Sequence, residues 1–163
     1  MMKSIVFSVG LLDQYHLQIP SEIAEPFAKN NQSRVKVKAS FNGNLIEFHA
    51  ALNRNKNNDS YYIIFSKRYQ KELNVFQNDY FELQLFEDTS KYGVEIPEEL
   101  EAVLLSDYEA YTIFESFTSG KQRSIIYTII RIKNTQSRID KALTMCDNLK
   151  RGITNPMEMF KAN

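Results

Sequence analysis

Two stretches of the chain decide how it folds. Residues 17–39 read LQIPSEIAEPFAKNNQSRVKVKA, and residues 63–85 read IIFSKRYQKELNVFQNDYFELQL. Laid one on the other without a gap, they keep their apolar positions in step. Phe65 lies 46 residues after Ile19 (65 − 19). At that offset Leu17 meets Ile63, Ile23 meets Tyr69 and Phe27 meets Leu73; Val35 meets Phe81, Val37 meets Leu83 and Ala39 meets Leu85. Both stretches read as strand, short helix, loop, strand. A fixed offset kept along a whole supersecondary unit points to internal duplication. Two such units can interleave their strands so that each closes the other's sheet.

Working outward, Arg34–Phe41 alternates, with Val35, Val37, Ala39 and Phe41 on one side and Arg34, Lys36 and Lys38 on the other. That is a half-buried strand. Asn42-Gly43 then signals a hairpin, and Leu45–Leu52 returns. Tyr15–Ile19 alternates up to Pro20; Ser21 suits a helix cap, with Ile23 and Phe27 on one face. Asn53–Asp59 reads as a polar loop, Tyr61–Phe65 as a strand, Ser66–Leu73 as a helix and Asp79–Phe86 as a last strand. Near the start, Ile5, Phe7 and Val9 alternate as a first strand. The apolar run behind Lys3 is short for a signal peptide and lacks a clean small-x-small cleavage site.

The second half changes period. Asp88–Glu95, with Gly93, reads as a linker. Pro97 sits in a first-turn position, followed by Glu98, Glu99 and Glu101, which suit a helix N-terminus. That helix runs to Leu105. Asp107 caps a second helix carrying Ala110, Ile113, Phe114 and Phe117, broken by Thr118-Ser119-Gly120. A third helix over 121–133 is rich in Ile. A fourth over 135–150 puts Ile139, Ala142, Leu143, Cys146 and Leu149 on one stripe and ends at Gly152. The expected class is α+β. A small β-barrel-like domain over 1–88, built from the duplicated unit, is followed by an all-helical domain over 96–152 and a flexible tail over 153–163.

The 163 residues balance 20 basic against 20 acidic side chains, so no net charge drives the molecule toward nucleic acid or membrane. No apolar run approaches the roughly 20 residues of a membrane span. The single cysteine, Cys146, has no internal partner for a disulfide, as in a reduced, cytoplasmic protein. It falls on an apolar helical stripe and reads as a buried, inert thiol.

Candidate chemistry is sparse. His16 and His49 lie on expected strands without a ligand set at zinc spacing. No glycine-rich phosphate loop and no nucleophile elbow occurs, so no catalytic residue, metal or cofactor is expected. Charge, however, is segregated. Glu95 to Glu115 holds seven acids and no base; Lys121 to Arg151 holds eight bases against Asp140 and Asp147. The plain reading is that acidic and basic helices pack together and compensate. A sharper reading groups Arg131, Lys133, Thr135 and Arg138 around the start of the fourth helix. There, free backbone N–H groups favour an anion such as phosphate or a carboxylate tail.

Ile19-Pro20-Ser21-Glu22-Ile23, Arg34-Val35-Lys36-Val37, Phe65-Ser66-Lys67 and Asn78-Asp79 follow one another in an order that resembles a known family, as do Ile96-Pro97-Glu98-Glu99-Leu100 and Lys133 through Ile139. The chain is similar, over residues 4 to 151, to the YdeI/OmpD-associated proteins. Those pair an N-terminal domain of unknown function with a helical domain. Asn78 stands where the family usually has Gly, and Gln136 where it often has a charged residue. The resemblance implies a double-split barrel similar to the swapped-hairpin domains of AbrB-type transcription factors. It also implies a bacterial protein of bacteriocin-protection or porin-association type.

Three functions follow as expectations. The first is a non-enzymatic interaction or stress-protection module whose partner is another protein. The second is an AbrB-like nucleic-acid binder; net neutrality counts against it, although Arg34, Lys36 and Lys38 share a face. The third is an enzyme with a pocket between barrel and helices, which no residue pattern supports.

Overall fold

A computed structural model describes residues 2–30 and 32–162. The chain divides into two compact units, residues 1–89 and 90–163. Among the described residues it is a mixed α and β protein with six helices and two antiparallel sheets.

The first unit runs β1 (Phe7–Gly10), β2 (His16–Ile19), α1 (Ser21–Lys29), β3 (Arg34–Phe41), β4 (Asn44–Ala51), β5 (Asn53–Asn55), β6 (Ser60–Ile64), α2 (Lys67–Leu73) and β7 (Tyr80–Glu87). One sheet has the order β1-β7-β3-β4 and the other β2-β6-β5. The strands are thus shared between two sheets rather than joined in one continuous ring. Their inward faces meet in a core that includes Leu17, Phe27, Val35, Val37, Ile63, Phe65, Leu73, Leu83 and Leu85, all fully buried or nearly so. Phe65 packs against Phe81 at 5.3 Å between ring centroids.

The sequence offset has a geometric counterpart. Strands β3 and β7 start 46 residues apart (80 − 34), as do α1 and α2 (67 − 21). Leu17 pairs with Ile63 and Lys38 with Gln84, each residue facing its own counterpart at that offset. To either side, Val37 pairs with Leu85 and Ala39 with Leu83, so counterparts exchange places. A local twofold axis through the two self-paired positions has this register. The outer strands obey it too: β1 lies on β7 and β4 on β3. Phe7 faces Leu83 and Phe48 faces Val37, which makes Phe7 and Phe48 counterparts 41 residues apart (48 − 7). The repeat is therefore one strand longer than the sequence offset showed. The shift from 46 to 41 falls between β4 and β6, where β5 is inserted.

Local chemistry explains the joints. Asn42 (φ 49°) and Gly43 (φ 83°) are both left-handed, as a type I′ hairpin turn requires. Ser66 caps α2 by accepting from the Tyr69 N–H. Ser21, expected as a cap, is instead the first helical residue. Pro20 takes the cap position, and its carbonyl accepts from the N–H groups of Ile23 and Ala24. The 53–59 segment, expected as loop, contributes β5, which pairs with Tyr61 and Tyr62 of β6 before Asp59 turns the chain at φ 58°.

The N-terminal edge carries a bulge. Lys3 bridges Phe86 and Phe7 faces Leu83, so four steps on one strand match three on the other. Ser4 repairs the ladder there. Its N–H donates to Leu85 O at 2.8 Å, its Oγ accepts from the Leu85 N–H at 2.9 Å, and its carbonyl accepts from Gln84 Nε2 at 2.7 Å.

The second unit runs α3 (Glu98–Leu105), α4 (Tyr108–Glu115), α5 (Ser119–Ile130) and α6 (Thr135–Lys150). Asp107, Thr118 and Asn134 cap α4, α5 and α6 through side-chain oxygens. Gly152 (φ 83°) closes α6: its N–H donates to Leu149 O and that of Ile153 to Asn148 O, which is the Schellman pattern. Leu100, Leu104, Phe114, Ile126, Ile129, Met145 and Cys146 form the core, while Leu143 is half exposed, off the stripe expected for it. Acidic and basic helices do compensate: Arg138 pairs with Glu99 at 3.3 Å and Lys150 with Asp107 at 2.8 Å. The segment expected as a flexible tail packs onto α6. Met159 is fully buried, and the buried Asn148 amide donates to the carbonyls of Met159 (2.8 Å) and Lys161 (2.9 Å). A buried amide needs such acceptors, and the returning chain supplies these.

Replacing Ser4 by Ala removes the acceptor for the Leu85 amide, whose residue is fully buried. An unmet donor of that kind costs about 1–3 kcal/mol. Urea denaturation should show that loss for Ser4→Ala and little change for Ser4→Thr; equal stability of wild type and Ser4→Ala would contradict the role given to the hydroxyl.

Candidate functional site: a groove in the helical unit

One concavity belongs wholly to residues 90–111. One wall is the incoming segment (Ser90, Lys91, Tyr92, Val94, Glu95, Ile96), and the other is Glu101, Leu104 and Leu105 of α3 with Tyr111 of α4. Its volume is about 420 Å³. The segment follows this path because Tyr92 and Val94 are buried and Gly93 between them takes a left-handed φ of 76°.

A hydrogen-bonded cluster fixes the inner end. The Tyr92 hydroxyl donates to Glu115 Oε1 at 2.5 Å, and its ring stands edge-on to Phe114 at 5.5 Å. Lys91 Nζ donates to the Tyr111 hydroxyl at 2.8 Å and to Glu115 at 3.1 Å, lying 5.3 Å from the centroids of both tyrosine rings. Each proton is held in place. The Tyr111 and Glu115 acceptors raise the Lys91 ammonium above its ordinary value. Burial, then the bond to Glu115, raises the Tyr92 phenol. Burial pushes Glu115 upward, but bonds from Tyr92 and Lys91 outweigh it and hold the carboxyl below the usual range. At neutral pH the set is ammonium, phenol and carboxylate. None of these three shifts brings a group toward neutrality, where a general acid or base works best.

The mouth is different. Leu105 is 70 % exposed and Tyr108, on the next helix, 83 % exposed. Glu95 and Glu101, which line the groove, are exposed, as is Glu98 three residues before Glu101 on α3. Of the seven acids between 95 and 115, Glu99, Asp107 and Glu115 take Arg138, Lys150 and Lys91. Glu98 and Glu101 form no ion pair among the described residues.

Of the residues grouped as an anion corner, the structure brings Arg138 and Thr135 to Glu99. Arg138 Nε donates to Ile132 O at 2.6 Å, Nη2 to Ile130 O at 3.0 Å, and Nη1 reaches the Glu99 carboxylate. The Thr135 side chain also bonds Glu99. The carboxylate this corner holds is thus the chain's own. Arg131 and Lys133 are exposed and stand outside that constellation. Glu99 is held below the usual carboxylate range, first by its own backbone N–H and then by Arg138 and Thr135, against desolvation.

Both histidines meet a carboxylate. His16 Nδ1 lies 3.0 Å from Asp13 Oδ2 at the surface, and His49 Nδ1 lies 3.0 Å from Asp88 Oδ2 with both side chains largely buried. Asp88 is 39 residues from His49 in sequence, so no spacing rule pointed to it. Among the described residues no cluster of three or more His, Cys, Asp or Glu could hold a metal. Cys146 is buried, and burial pushes its thiol up to about 12, which leaves it protonated and unreactive at neutral pH. On β3, Lys36 lies 3.5 Å from Glu47 of the neighbouring strand, so part of that basic face is compensated.

Arg138 ties the end of α5 to α3, and hydrogen bonds made by a charged group carry about 1.5–3 kcal/mol. Arg138→Ala should lower stability by about that much at neutral pH, and Lys should rescue little because it lacks the planar fork. Glu99, Asp107 and Glu115 all have lowered pKa values in the folded chain. Their stabilisation is therefore present above the ordinary carboxylate range and lost as pH falls through the lowered values. The acid limb of stability against pH should be shallower in Arg138→Ala. Unchanged stability and an unchanged acid limb would contradict this.

No curated protein and no solved structure matches the chain. A family model does: the one described as bacteriocin-protection, YdeI or OmpD-associated matches residues 93–152. That span covers α3 to α6 and begins at Gly93, inside the groove-forming segment. The helical unit, from residue 93 to residue 152, is accordingly assigned to the bacteriocin-protection, YdeI or OmpD-associated family.

Proposed function

We propose that this chain is a non-enzymatic interaction module of bacteriocin-protection type, acting in the bacterial cytoplasm on another protein. The sheet-bearing unit, as a double-split barrel grown from a duplicated strand–helix–strand unit, is its scaffold, and the helical unit is its docking surface. The observation that carries this reading is the groove rim: Leu105 stands in water there, as does Tyr108 at the start of α4, both on the segment that matches the family. Large exposed apolar side chains beside a concave, partly apolar site favour a macromolecular partner. The polar groups at the inner end bond one another, which suits a rigid seat better than a reaction centre. A lone buried thiol accords with a reducing compartment.

Capture from the native host tests the reading. Tagged full-length protein should retain a stoichiometric protein after nuclease treatment, and Leu105→Glu should reduce that capture about tenfold or more, the loss typical of an interface anchor. Nucleic acid that co-purifies and vanishes with nuclease would overturn it in favour of an AbrB-like binder, as would retention unaffected by Leu105→Glu for the helical docking surface.

A further inference from the structure

The groove also indicates what chemistry it receives. We propose, building on the interaction reading above, that it takes a cationic amphipathic peptide segment. One apolar side chain would seat against Val94, Ile96 and Leu104, and flanking Lys or Arg residues would meet Glu98 and Glu101. Three observations converge on this occupant.

The first is size. About 420 Å³ sits at the small end of ligand pockets and holds one or two large side chains rather than a folded surface. The second is the apolar lining. Val94 and Leu104 are buried, Ile96 is half-buried, and Leu105 stays largely in water at the rim. An apolar side chain laid against Ile96 and Leu105, with Val94 and Leu104 as the buried floor, removes surface worth about 25 cal/mol per Å².

The third is charge, which fixes the sign of the partner. The charged lining residues are Lys91, Glu95 and Glu101. Lys91 is clamped between the Tyr111 hydroxyl and Glu115, so it offers an entering anion little. An anion would instead face the exposed Glu101 carboxylate. Lys91, Arg138 and Lys150 are already set against Glu115, Glu99 and Asp107. Glu98 and Glu101, three residues apart on α3, remain at the surface without an ion pair among the described residues. The molecule is neutral overall, so this is a local field and not a general property. A peptide with an apolar anchor and basic neighbours satisfies both features at once, as in other grooves that read amphipathic segments.

The probe is a synthetic leucine–lysine peptide, with a leucine–glutamate peptide of the same pattern as its opposite. Fluorescence anisotropy with the full chain should show the leucine–lysine peptide binding about tenfold or more tightly than its counterpart, weakening as salt screens the rim. Glu101→Lys and Leu105→Ala should each weaken it about tenfold, while Leu143→Ala, on α6, should leave it unchanged. Both groove positions are exposed, so unfolding curves should match wild type and separate lost binding from lost fold. Equal binding of the two peptides, no binding of either, or indifference to Glu101→Lys would overturn the proposal. If host capture succeeds while the peptide test fails, only the partner chemistry is wrong; if the peptide binds as described but host capture yields no protein, the interaction reading fails and the groove chemistry stands.

Discussion

The antiparallel pairing of β3 with β7 is the constraint from which the first unit follows. These strands occupy the centre of the four-stranded sheet, with β1 and β4 outside them. Each presents alternate apolar residues inward: Val35, Val37 and Ala39 from one, Phe81, Leu83 and Leu85 from the other. A slip of one residue would turn all three of either strand out to water, so burial itself specifies the register. With Lys38 facing Gln84, and Leu17 facing Ile63 in the second sheet, counterparts at one offset meet across a local twofold axis. The helices and outer strands then repeat because the strands that hold them repeat.

In the helical unit the polar residues are spent on architecture. Arg138 closes the end of α5 and reaches Glu99 on α3; Asn148 ties the returning C-terminal segment to α6; Glu115 gathers Lys91 and Tyr92. Each is a group whose lone burial would be costly and whose partners remove that cost. What these bonds leave unsatisfied is the informative remainder. Leu105 and Tyr108 keep apolar area in water, and Glu98 and Glu101 keep charge there. The candidate interface is the part of the unit that its own folding does not use.

Much of this was legible in the residues. Strand alternation in 34–41, the Asn42-Gly43 turn, the cap at Asp107, and the 46-residue offset all act locally or by simple repetition. The rest escaped for identifiable reasons. Phe7 and Phe48 are counterparts at a different offset, because β5 lies between β4 and β6 and breaks the count. β5 itself is Asn-Arg-Asn, poor strand formers held by pairing with β6. Of the basic residues near α6, Arg138 meets Glu99, a carboxylate 39 residues upstream that no spacing in the sequence indicated. The groove was hidden because one wall is the 90–96 segment, where Val94 and Ile96 sit among Gly, Glu and Pro with no period to reveal them. The tail gave no sequence signal for Met159, since a single buried side chain carries no pattern.

The central claim is that the helical unit, and not the basic strand face, is where this protein meets its partner. Amide hydrogen exchange of the full chain, free and bound to the protein it captures from its host, addresses that directly. The account predicts slowed exchange across 92–111, at the groove walls, with β3 unchanged. Slowed exchange over 34–40 and none in the helical unit would contradict it.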